Sequence, residues 1–158
     1  AFYCCKSLKE ITIPNSVTHI GEGAFYECDS LTEISIPNSV ISIGNNAFVD
    51  CIALTEISIP DSVISISKCA FTYCKSLKEI TIPDSVTSIG IYAFAQCESL
   101  KEITISASVM RIDNNAFYEC ESLVHVVFKG KTLEEVKQME NYPFGIEDES
   151  IIKCENVI

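Results

Sequence analysis

Apolar and polar positions along this chain recur every 23 residues, a longer period than any helix or strand gives. Alanine stands at positions 1, 24, 47, 70, 93 and 116, and phenylalanine follows it each time. The shared unit, AFxxCxSLxEIxIPxSVxxIGxx, repeats without a gap. A fixed period of this size predicts a solenoid with one turn of coil per repeat. Within the unit, SLKEITIP (7–14) spaces Leu8, Ile11 and Ile13 as L-x-x-I-x-I, the pattern of a short parallel strand with these side chains turned inward. Pro14, which has no ladder donor, ends it. SVTHIG (16–21) predicts a second short extended segment, and Gly21 is expected to supply a positive φ at the corner. AFYEC (24–28) reads as a tight turn or 3₁₀ segment that plugs its phenylalanine inward. Thr72 follows Phe71 at a variable position, so its side chain is expected to be exposed. One such unit cannot bury its own apolar face. Stacked at about 4.8 Å, each Phe, Leu and Ile meets its own copy above and below.

The last unit departs from the pattern. After Leu123 the strand reads VHVVFKGK, with no proline behind it. Thr132-Leu133-Glu134-Glu135 fits a capping box, and Leu133, Val136 and Met139 are expected on one face of the short helix that follows. YPFG (142–145) predicts a turn and SIIKCENVI (150–158) a closing strand. Two regions follow: a solenoid over 1–128, with five full repeats and the start of a sixth, and a C-terminal cap over 129–158. The first repeat carries no cap signal, and Phe2 and Leu8 already stand in the core pattern. That edge is expected to be bare unless other residues or a second chain cover it.

LxxIxIPxSVxxIGxxAFxxC resembles the leucine-rich repeat of BspA-like bacterial surface proteins, over residues 1–128. The resemblance implies a mainly β, right-handed, curved solenoid with a parallel sheet on its concave face. It also implies a cell-surface or extracellular protein that adheres to or binds other proteins, without catalysis. It carries over no binding residue, because the matching positions are the structural ones.

Charge narrows the partners. Twenty-two acidic against 11 basic residues leave a net charge of −11, which argues against nucleic acid, since phosphates need a basic face. The apolar content of 47% argues against disorder. No apolar run approaches the roughly 18 residues of a membrane helix. The chain opens directly in a repeat, with neither a basic leader nor an apolar one. Either a signal peptide has been removed or the chain is a segment of a longer protein.

Nine cysteines are the most conspicuous reactive groups. Cys5, Cys28, Cys51, Cys74, Cys97 and Cys120 share one repeat position and predict an interior ladder of thiols bonded to backbone carbonyls. Parallel Cβ vectors disfavour bridging between rungs, and the absence of a C-x-x-C pair argues against zinc. Cys4 and Cys69 fall at variable positions and are expected at the surface; Cys154 belongs to the cap. Neither histidine has a nucleophile beside it, the glycines form no phosphate loop, and serines such as Ser16 and Ser39 recur with the period. No cofactor and no enzymatic activity are expected.

The exposed strand face remains. Residues between the inward Leu and Ile must point outward and form rows of their own: Glu10, Glu33, Glu56, Glu79 and Glu102, with Lys9, Lys78 and Lys101 beside them and His125 continuing the glutamate row. As an ordinary solvated sheet this is a solubility surface. As a docking surface it is an acidic stripe for a protein partner, a basic one on charge grounds. A second expectation is structural: packing into a larger particle or filament through ends and sides, including self-association at the bare N-terminal edge.

Overall fold

The computed structural model describes residues 1–155 of the chain. Its coils stack in a strict register of one repeat. Along the concave side run β2 (Glu33–Ser35), β4 (Glu56–Ser58), β6 (Glu79–Ile82), β8 (Glu102–Ile105), β10 (His125–Lys129) and β11 (Ile152–Glu155). β2 pairs with β4, and β6, β8, β10 and β11 form a second parallel set; between repeats each residue lies beside its equivalent, as Glu33 beside Glu56 and Glu79 beside Glu102. Thr12 adds the first coil by a bridge to Ser35. The backbone amides of Thr55 and Lys78 carry the ladder from coil to coil by donating to Thr32 and Thr55. A second side is a sheet of two-residue strands: β1 (His19–Ile20), β3 (Ser42–Ile43), β5 (Ser65–Ile66), β7 (Ser88–Ile89) and β9 (Arg111–Ile112). The third side is the AF turn. There the direction of bonding reverses, and Phe25, Phe48 and Phe94 each donate an amide to the alanine carbonyl of the next coil, at 2.8 Å.

These three ladders satisfy the backbone, and the repeated apolar slots fill the space between them. Phe25, Phe48, Phe71 and Phe94 stack nearly parallel with centroids 5.2–5.3 Å apart. Leu31, Leu54, Leu77 and Leu100 are wholly buried. Five of the six ladder cysteines behave as the repeat predicts, while Cys5 is half-buried in the first coil. From Cys28 to Cys120 each thiol donates to the phenylalanine carbonyl 26 residues earlier, at 3.0–3.2 Å. All nine cysteines are free thiols.

Three expectations change. The left-handed corner does not fall at Gly21, Gly44 or Gly90. It lies two residues later, at Gly23, Asn46, Cys69, Tyr92 and Asn115, and again four residues beyond, at Glu27, Asp50, Tyr73, Gln96 and Glu119. Gly44 and Gly90 are small for another reason: a Cβ there would sit 2.7 Å from the backbone nitrogen of Glu22 and Lys68 respectively. Thr72, expected outside, is buried, and its hydroxyl donates to the carbonyl of Tyr92 at 2.6 Å. Thr72→Ala should therefore cost about 0.5–1.5 kcal/mol, the net worth of one hydrogen bond, since the Tyr92 carbonyl keeps the amide of Ala95 as a donor. Thr72→Ser should recover most of that loss in urea melts, and equal midpoints for wild type and alanine variant would refute the bond. Leu133, finally, is exposed, while Val136 is buried and Met139 packs on the core.

At the C-terminal end, α1 (Leu133–Lys137) starts at Thr132 with both bonds of the capping box in place. Phe144 is fully buried, and its carbonyl accepts the amide of Phe117 at 3.0 Å, where earlier coils use the next alanine. β11 then pairs with β10 and extends the concave sheet; of the closing strand expected over 150–158, Ser150 and Ile151 instead form a 3₁₀ turn (Glu149–Ile151), and 156–158 lie outside the described residues. The first and middle coils differ in burial. Phe2 is 37% exposed, whereas Phe48 and Phe71 are fully buried.

Candidate protein-binding face

Alternation in the concave strands sets this face. Isoleucines at the second and fourth strand positions point into the core, so the glutamates and hydroxyls between them point out. The parallel register makes rows of each kind. Glu10, Glu33, Glu56, Glu79 and Glu102 all line one open groove of about 1310 Å³. Thr12, Ser35, Ser58, Thr81 and Thr104 form the neighbouring row of hydroxyls along it. Asp61 and Asp84 add two carboxylates, and Lys129 is the single lysine of the lining. Carboxylates one rung apart repel by roughly 0.8–0.9 kcal/mol per pair even at the dielectric of bulk water.

The other residues singled out in sequence take different places. Lys9, Lys78 and Lys101 are exposed at the flank of the strands, outside the groove lining. Among the described residues none of them forms an ion pair with the glutamate row; the lysines that do pair, Lys6 and Lys75, bond Glu27, Asp29 and Glu98 on another side of the coil. His125 is exposed at the C-terminal end of the row, with Nδ1 3.5 Å from Glu102 Oε2. Sequence reasoning missed Asp61 and Asp84. Their repeat position reads Asn15, Asn38, Asp61, Asp84, Ala107, so the charge was visible, but its place on the groove lip depends on where the chain turns after the proline. Among the described residues no cluster of three or more His, Cys, Asp or Glu has the arrangement of a metal site. No helix among them is long and apolar enough to cross a membrane.

The profile of the BspA type leucine rich repeat region matches this chain in six copies, over residues 1–124 and 43–151. The chain belongs to the BspA-type leucine-rich-repeat family. Solved structures of such repeats agree with the fold. A leucine rich cell surface protein from Faecalibacterium prausnitzii is 34% identical over 85% of this chain, with a TM-score of 0.80. A leucine-rich repeat protein from Bacteroides ovatus is 36% identical over 77% of it, with a TM-score of 0.72. The T. pallidum leucine rich repeat protein is 28% identical over 94% of it, with a TM-score of 0.75. This chain spans 35%, 39% and 69% of those three proteins respectively, so it matches about a third of the first two. No curated protein sequence matches it. BspA-type repeats are, as a family, protein-interaction modules.

Proposed function

We propose that this chain is a non-enzymatic binding module, displayed at a cell surface, that holds a basic segment of another protein in its concave groove. The observation that carries this is the charge of the lining: seven carboxylates, Glu10, Glu33, Glu56, Asp61, Glu79, Asp84 and Glu102, against Lys129 alone. A row of like charges that the protein's own lysines leave unpaired costs stability and attracts a cationic partner. The description of the F. prausnitzii protein as a cell surface protein supports the location. The test is the triple variant E33Q/E56Q/E79Q. Affinity for a lysine-rich protein ligand should fall at least about tenfold at low salt, and the salt dependence should flatten. Unchanged affinity with unchanged salt dependence would move the interface off this face.

A further inference from the structure

The groove has a built-in ruler, and its spacing selects among the shapes a basic segment can take. The strands run across the groove, so a ligand lying along it crosses one glutamate per rung, every ~4.8 Å. A β-strand ligand presents like side chains every ~6.7 Å, which matches neither one rung nor two. An α-helix presents a face every ~5.4 Å and drifts by ~2.4 Å over the four steps from Glu10 to Glu102. A polyproline II chain presents every third residue after ~9.3 Å, against ~9.6 Å for two rungs, and drifts by only ~0.6 Å over the same length. The neighbouring row suits the same ligand. Ser35, Ser58 and Thr81 are exposed hydroxyls that can donate, and a polyproline II backbone leaves all its carbonyls free to accept. By contrast, Thr32 and Thr55, three positions back along the chain from Ser35 and Ser58, already spend their hydroxyls on the preceding coil's carbonyls.

We propose that the groove takes a cationic segment in the polyproline II conformation, laid along the solenoid axis, with a lysine or arginine at every third residue. Three basic side chains then meet Glu10, Glu56 and Glu102 on alternate rungs. The inference rests on reading this face as the protein-binding one, and it adds the conformation and charge period of the partner.

The test uses the 158-residue chain and two labelled nine-residue peptides of identical composition, KPPKPPKPP and KKKPPPPPP. Fluorescence anisotropy at low salt should give the first peptide at least roughly tenfold tighter binding than its isomer. E10Q/E56Q/E102Q should bring the two peptides to equal affinity, whereas E33Q/E79Q should weaken both and keep their ratio. Circular dichroism of each variant should match the wild type. Equal binding of both peptides to the wild type would overturn the ruler while leaving an acidic face that binds cations. Binding of neither peptide would overturn both the ruler and the reading it rests on.

Discussion

Replacing Phe71 with alanine is expected to destabilise the protein by about 3–5 kcal/mol, the largest effect of any single apolar truncation in the coil. Phe71 is fully buried and lies 5.3 Å from Phe48 on one side and 5.3 Å from Phe94 on the other. Truncation removes a ring whose two faces are both in contact, and neighbouring coils cannot collapse into the gap. They are held at fixed separation by the amide-to-carbonyl bonds of the AF turn, in which Phe48 donates to Ala70 and Phe71 to Ala93. The same change at Phe2, 37% exposed and stacked on one side only, should cost less than half as much. The comparison is read from urea midpoints of the two variants. Equal shifts would mean that the phenylalanine ladder is not what fills the core.

The second large effect is alkaline. Burial lifts the thiols of Cys51 and Cys120 from the ordinary 9.0 to about 12, and pushes those of Cys74 and Cys97 well above 9.0. A thiol whose pKa is higher in the folded chain holds its proton more tightly there than in the unfolded chain. Its contribution is therefore intact below about pH 9 and is lost as pH rises from 9 towards 12. Three pKa units correspond to about 4 kcal/mol for each such thiol, a sizeable part of the stability of a chain this long. Urea melts should give one stability at pH 7.5 and 8.5 and a steep decline above pH 9. Alkylation should follow the same logic, since the thiolate is the nucleophile. At pH 8 the exposed Cys4 should react first and the fully buried Cys74 and Cys97 last. Stability independent of pH up to 11, or disulfides between ladder positions in mapped peptides, would contradict this account.

Most of the coil was legible because each inference was made once and applied at every rung. The L-x-x-I-x-I spacing placed the concave strands, and the shared cysteine position placed a thiol against a carbonyl. The capping box at Thr132 was equally direct, since it is local chemistry within four residues. What failed to read were features decided by the neighbouring coil. Thr72 is a variable position by sequence, and its burial comes from Tyr92 of the coil above. Gly44 reads as a corner residue, and its need for a bare Cα comes from the Glu22 backbone below it. In the candidate binding face, the glutamate row followed from strand alternation alone. The share of the flanking lysines in neutralising it depended on side-chain direction at the strand edge, and there the spacing of Lys78 beside Glu79 gave no ion pair.

The register of one repeat has a genetic consequence. Because Glu33 lies beside Glu56 and Ile34 beside Ile57, loss or gain of 23 codons in frame rejoins chain at equivalent backbone positions. Such a deletion removes one whole rung and leaves every remaining contact of its kind in place. Near-identical tracts such as LTEISIP at 31–37 and 54–60 are also the places where DNA strands misalign during replication or recombination. Length in this protein can thus change in whole steps, each adding or subtracting one member of the glutamate row, so that a lineage can retune the reach of its groove without passing through an unfolded intermediate.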